Sequence, residues 1–198
     1  MKFFTHMIWL YGLLTSFTLS AACPTQQAYP DTTFPELTVV TDLGEVVIEL
    51  DRRRAPITVN HFLNLVKDQA FDNNLVHRVV TDYVVQTGAF KSNYSAVKSC
   101  GKLFNESGNG LTNDRGTLAM ARFDDPHSAE SSFFINLKDN NNLNPNKKSW
   151  GYTVFGYVVS GMEVVDQIAQ VKTEFNTELE AKDVPEKPIN IISVRLNQ

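Results

Sequence analysis

What most constrains this chain is the number of short β-rich runs set against only two helical faces. Leu37-Thr38-Val39-Val40 and Glu45-Val46-Val47-Ile48-Glu49-Leu50 flank Asp42-Leu43-Gly44, whose turn chemistry predicts a hairpin. His77-Arg78-Val79-Val80 and Tyr83-Val84-Val85-Gln86 are short runs on either side of Thr81-Asp82. Thr117–Ala121, Phe133–Leu137 and Tyr152–Val159 read as further strands, and Ile189–Leu196 as a closing one. Helical spacing occurs twice. Val59, Phe62, Leu63 and Val66 form one apolar face behind Pro56, in a helix ending near Asp68–Ala70, with His61 and Asn64 assigned to the exposed side. Met162, Val165 and Ile168 form another between Gly161 and Gln170. Two helices are too few to cover both faces of a parallel sheet, so a mainly β, antiparallel barrel or sandwich is expected. A closed barrel with a helix at each end would leave no free sheet edge.

The remaining segments set the boundaries. The 198 residues suit one domain once any targeting segment is removed. Lys2, the apolar run Met7–Leu14 and the small residues Ser20-Ala21-Ala22 read as a cleaved secretory signal over residues 1–22, too short in its apolar part for a membrane span. Residues 23–35, with three prolines, read as an extended leader, and residues 36–198 as the folded domain. Two readings of Cys23 stand side by side. One is a disulfide with Cys100 in an oxidising compartment. The other is a lipid anchor at a mature N-terminal cysteine, although Ser20 stands where such a signal wants leucine. The expected location is periplasmic, and a monomer is expected.

Several chemistries find no support. The net charge of −4 gives no broad attraction to nucleic acid or anionic membrane, and Arg52-Arg53-Arg54 beside Asp51 reads as a solvated turn. No pair among the four histidines has metal-ligand spacing, and there is no Cys-x-x-Cys. Ser131-Ser132 lacks the turn of a hydrolase nucleophile, and no glycine-rich phosphate loop is present. Neither a metal nor a cofactor is expected. Asn93-Tyr94-Ser95 and Asn105-Glu106-Ser107 would accept glycans only in a eukaryotic secretory pathway.

Four segments are informative together: Val76-His77-Arg78-Val79-Val80-Thr81-Asp82-Tyr83-Val84-Val85-Gln86-Thr87-Gly88, Gly116-Thr117-Leu118-Ala119-Met120-Ala121-Arg122, Ser131-Ser132-Phe133-Phe134-Ile135, and Val154-Phe155-Gly156 followed by Gly161-Met162. In this order they resemble the cyclophilin family, most closely its bacterial periplasmic branch, over nearly all of residues 37–196. The resemblance implies a closed eight-stranded antiparallel barrel capped by two α-helices. It also implies peptidyl-prolyl cis-trans isomerase activity on proline-containing peptides and folding polypeptides. By the same resemblance Arg78, Gln86 and Tyr83 are the catalytic positions. Val84, Met120, Ala121, Ser132, Phe134, Leu143 and Tyr152 are the substrate-binding ones, with Phe134 at the floor of the proline pocket and Leu143 on its far wall.

Those residue types suit the chemistry. An Xaa–Pro bond crosses between cis and trans over about 18–20 kcal/mol because of amide resonance. A donor cation aimed at the prolyl nitrogen favours the pyramidal, twisted state over either planar one, and arginine stays charged with its donors in a fixed fork. No metal, nucleotide or nucleophile is required. The chain departs from the family pattern at five places, one of them Thr87, which stands for the first of two glycines. Tyr83 stands for phenylalanine, Thr81-Asp82 for a Pro-Gly turn, Ser132 for a glutamine, and Asn142 for an aromatic wall. These imply altered peptide preference. They also leave an alternative: a peptide-binding or chaperone module with weak turnover.

Overall fold

The computed structural model of the protein describes residues 28–99 and 101–197. The expected signal peptide, Cys23 and any bond to Cys100 lie outside them. In chain order the elements are β1 (Glu36–Thr41), β2 (Gly44–Leu50), α1 (Pro56–Lys67), β3 (Asn74–Leu75), β4 (Arg78–Val80), β5 (Val84–Thr87), β6 (Thr117–Met120), β7 (Phe133–Asn136), a 3₁₀ turn (Asn141–Leu143), β8 (Val154–Ser160), α2 (Met162–Ala169), β9 (Thr173–Asn176), β10 (Ala181–Pro185) and β11 (Asn190–Leu196). All pairings are antiparallel.

The main sheet has nine strands in the order β3-β11-β1-β2-β8-β6-β7-β5-β4. The expected closed eight-stranded barrel is corrected here: β3 and β4 end the ladder and do not pair with each other. The reason is local. Only Val76 and His77 separate these two edge strands, and there the backbone changes neighbours. The Val76 amide donates to the Ile189 carbonyl at 2.9 Å, the His77 amide to the Gln86 carbonyl at 3.2 Å. The sheet therefore curls until its two edges are consecutive in sequence. A second sheet, the β9–β10 hairpin, packs against β4 and covers that edge. Sequence periodicity does not mark it.

Strand alternation divides the side chains into two layers. Inside the curl lie Leu118, Met120, Val85 and Phe133, continuous with Phe62, Phe71 and Phe155. The rings of Phe71, Phe133 and Phe155 stand 4.8, 5.2 and 5.2 Å from that of Phe62. On the other face Val84, Ala119, Phe134, Leu143 and Val154 form a smaller cluster with Tyr83, Ala121 and Tyr152 packed on it. The first layer holds the fold and the second floors the site.

Helix α1 starts as the sequence suggests, with Pro56 in its first turn, but Ala55 offers no side-chain cap. The long loop supplies it instead. The Glu106 carboxylate accepts from the Ile57 and Thr58 amides at 3.1 and 2.8 Å and from the Thr58 hydroxyl at 2.7 Å. Helix α2 enters through Gly161 at φ 86°, where a Cβ would lie 2.3 Å from the Glu45 carbonyl oxygen. Only glycine fits that approach.

Two surface assignments are also corrected. His61 is buried, because Glu130 comes down on that side of α1 and its carbonyl sits 2.7 Å from Nε2. Arg52 is not part of a solvated turn. Its guanidinium donates to the carbonyls of Ala28 and Tyr29 at 2.8 Å, and to that of Thr32. It thereby folds residues 28–35 into turns against the body, so this part of the leader is not extended.

Candidate active site

The register brings distant residues into one row. Arg78 pairs with Gln86 across β4–β5, Gln86 with Phe134 across β5–β7, and Phe134 with Ala119 across β7–β6. Directly opposed positions share a face of the sheet, with Cβ atoms about 5 Å apart. A cation, an amide, an aromatic ring and a methyl group thus line up on the outer layer.

Hydrogen bonds fix the direction of the first two. Arg78 Nη1 donates to Gln86 Oε1 at 3.3 Å, and Gln86 Nε2 donates to the Ser132 hydroxyl at 3.2 Å. That hydroxyl donates in turn to the Thr87 carbonyl at 3.1 Å. Gln86 is held at both ends, so its oxygen faces the guanidinium. Arg78 Nε lies 3.7 Å from the Asp183 carboxylate on β10. Asp183 sits at φ 63° within the irregular stretch of the β9–β10 ladder, between Ala181 and Val184. Such an irregularity re-aims a side chain. Both partners are well exposed, so the pair orients Arg78 more than it stabilises the fold.

A cleft of about 150 Å³ opens over this row, lined by Arg78, Tyr83, Val84, Gln86, Ala121, Arg122, Phe134, Leu143 and Tyr152. It is smaller than a drug-sized site and suits one small ring. Phe134 is its buried floor, with Tyr152 edge-on at 5.7 Å. The Arg122 guanidinium lies 4.7 Å above the Tyr152 ring. The Tyr83 hydroxyl accepts from Asn142 Nδ2 at 3.2 Å, so two departures from the family pattern partner each other.

Eight of the ten expected site residues therefore share one cleft. Ser132 lines the neighbouring pocket and reaches the cleft through Gln86. Met120 does not belong: it points into the main core, as its place next to outward-facing Ala119 on β6 requires. Tyr83 lines the cleft with its hydroxyl bonded to Asn142.

Three features escaped the sequence. One is Asp183. Another is the neighbouring pocket of about 360 Å³, lined by His77, Gln86, Ala89, Phe90, Val97, Arg122, Phe123, Glu130, Ser132 and others. His77, edge-on to Phe90, has its pKa lowered to about 4, chiefly by burial and further by the Arg78 charge. The third is a buried asparagine network. Asn136 Nδ2 donates to Asn113 Oδ1 at 3.2 Å. Asn140 Nδ2 donates to Asn136 Oδ1 at 2.8 Å and to the Tyr83 carbonyl at 2.9 Å. Asn144 Oδ1 accepts from the Asn113 amide at 2.7 Å. This lattice holds the 3₁₀ turn that carries Leu143 and the end of β7 against Tyr83. The only sequence signal for it was an excess of asparagine in segments read as loops.

Among the described residues no three His, Cys, Asp or Glu side chains gather as a metal site, and no helix is long and apolar enough to cross a membrane.

Comparison with known proteins shows what the chain is similar to. The family model of cyclophilin type peptidyl-prolyl cis-trans isomerases matches residues 36–196. A peptidyl-prolyl cis-trans isomerase of Acinetobacter baylyi is 44% identical over 156 residues, covering 79% of this chain and 82% of that one. Peptidyl-prolyl cis-trans isomerase A of Dickeya dadantii is 38% identical over 187 residues, covering 94% and 96%. Isomerase B of Escherichia coli is 40% identical over 165 residues, covering 82% and 99%. Among solved structures, a cyclophilin type isomerase of Cryptosporidium parvum superposes with a TM-score of 0.69 at 20% identity, covering 83% of this chain and 98% of that one.

Proposed function

The chain belongs to the cyclophilin-type peptidyl-prolyl cis-trans isomerase family, and from that premise we propose that Arg78 is its catalytic group, acting on Xaa-Pro bonds of exported polypeptides. The observation that carries this is the row Arg78–Gln86–Phe134 on one face of β4, β5 and β7.

The chemistry follows from the row. The proline ring enters the apolar cleft between Phe134, Leu143 and Tyr152, which holds one side of the bond. As the acyl side rotates, the prolyl nitrogen becomes pyramidal and its lone pair leaves conjugation. The guanidinium donates to that lone pair, an interaction absent from both planar amides, so it lowers the barrier without tightening ground-state binding. Gln86 keeps the fork aimed, and its second amide hydrogen is left for a substrate carbonyl. All these groups belong to one chain, which supports action as a monomer. The signal-like residues 1–22 support a periplasmic site of action, with lipid attachment at Cys23 as its anchored variant.

Relaxation of an Ala-Pro tetrapeptide from cis to trans tests the assignment. Arg78→Ala should lower kcat/KM about 10²- to 10³-fold, the usual loss for one aimed donor. Equal rates for the variant and the parent chain would sink it.

A further inference from the structure

We propose that Phe104, His127 and Trp150 form a second contact surface for the substrate polypeptide, one that takes an aromatic or large aliphatic side chain a few residues from the isomerised proline. This rests on the reading of the cleft just given and extends it.

The three rings form a cluster. His127 stacks on Phe104 at 4.6 Å and 13°, and Trp150 stands edge-on to His127 at 5.3 Å and to Phe104 at 6.3 Å. Phe104 is 57% exposed and Trp150 45%, with Phe123 nearby in sequence to His127 at 78%. Single exposed apolar side chains are ordinary; contiguous rings held open to solvent mark contact sites.

The cluster is held rigidly. Leu103 and Asn105 on either side of Phe104 are buried, which forces the phenyl ring outward. The Leu103 amide bonds the Ala129 carbonyl at 2.8 Å, and the Asn105 amide donates to His127 Nδ1 at 3.0 Å. That second bond places the imidazole proton on Nε2. Asn105 Nδ2 donates to the Pro126 and Gly151 carbonyls at 3.1 and 3.0 Å, clamping the segments that carry His127 and Trp150. Rings ordered before binding lose little entropy when a partner lands on them.

The occupant is identified by continuity with the cleft. Arg122 links the two. Its guanidinium covers Tyr152 in the cleft wall, while Nη2 donates to the Trp150 carbonyl at 2.9 Å and Nε to the Gly151 carbonyl at 3.3 Å. Arg122, Phe123 and Ser128 also line the 360 Å³ pocket that adjoins the cleft at Gln86, Ala121 and Arg122. A polypeptide lying in the cleft and continuing across Arg122 meets these rings next.

The test uses long unstructured peptides with one Ala-Pro bond and either phenylalanine or alanine a few residues to each side, beside an Ala-Pro tetrapeptide. The parent chain should show a lower KM for the phenylalanine peptides. In Phe104→Ser/Trp150→Ser that advantage should shrink about threefold to tenfold, the worth of an aromatic contact, with kcat and the tetrapeptide rate unchanged. Equal KM values for both peptides in the parent, or an advantage that survives in the double variant, overturns the proposal. So does a concentration-dependent dimer that vanishes in the double variant, which would assign the rings to a second copy of the chain. Arg78→Ala separates the two readings. Anisotropy of labelled peptides should retain the phenylalanine preference in that variant. A retained tetrapeptide rate would remove only the catalytic role of Arg78.

Discussion

The two sides of the cleft are built differently. On one side Arg78, Gln86 and Phe134 stand on paired strands, and register alone aligns them. On the other, Leu143 and Tyr152 come from a 3₁₀ turn and the segment before β8, placed by buried asparagines and by loop backbone bonds, among them Tyr152 amide to Leu143 carbonyl at 3.0 Å. The strand side spends its polar groups on aiming a cation, and the loop side spends its own on holding a shape. Substitutions of the strand side's polar groups, Arg78 and Gln86, should therefore change rate at nearly constant stability, while those on the loop side should change both.

The largest test attacks the strand side through its exception, buried His77. Its folded pKa of about 4 lies below the usual value of 6.5, so the unfolded chain takes up a proton first as the pH falls. The contribution is whole above pH 6.5 and is lost on acidification through 4, to a total of about 3 kcal/mol. His61, also lowered by burial, adds in the same direction. Urea unfolding at pH 7.5 and pH 5 should show the loss, and His77→Phe should flatten it. An unchanged slope would mean that the strand side carries no such acid-sensitive group.

Next in size is Asn136→Ala on the loop side. It strips the bonds to Asn113 and Asn140 at a fully buried site and should cost about 2 kcal/mol. Because Leu143 is freed with it, kcat/KM should fall as well, by a rise in KM. A stability loss with unchanged KM would break the proposed contrast. The smallest effect is expected from Glu106→Gln, which weakens the borrowed cap of α1. About 1 kcal/mol should be lost by thermal melting, with activity intact, since the Glu106 carboxylate caps α1 and is not part of the cleft lining.

The same division explains what could be read in advance. Short β-rich runs expose β1, β2 and β5 to β8, but a turn of Thr81-Asp82 alone would set Val85 opposite Arg78; the third turn residue, Tyr83, brings Gln86 there instead. Met120 was misplaced because a motif names a stretch, whereas the pleat sends its neighbours to opposite faces. The asparagine lattice, Asp183 and the curl at Val76–His77 were hidden for another reason. Each depends on partners far along the chain, and neither local propensity nor hydrophobic period records them. Arg52 and His61 were misassigned similarly: a polar side chain goes inside when carbonyls from a distant segment come to meet it, and composition does not show the carbonyls.

The seam at Val76–His77 has a consequence for a chain still being made. Among the named strands β3 pairs with β11, which follows the groove residues in the chain, and the Val76 amide waits for the Ile189 carbonyl. Every residue of the groove has left the ribosome well before those partners do. A growing chain thus carries its catalytic side chains for a time without the final clasp that sets their strand, and the groove is finished only when the last strand is.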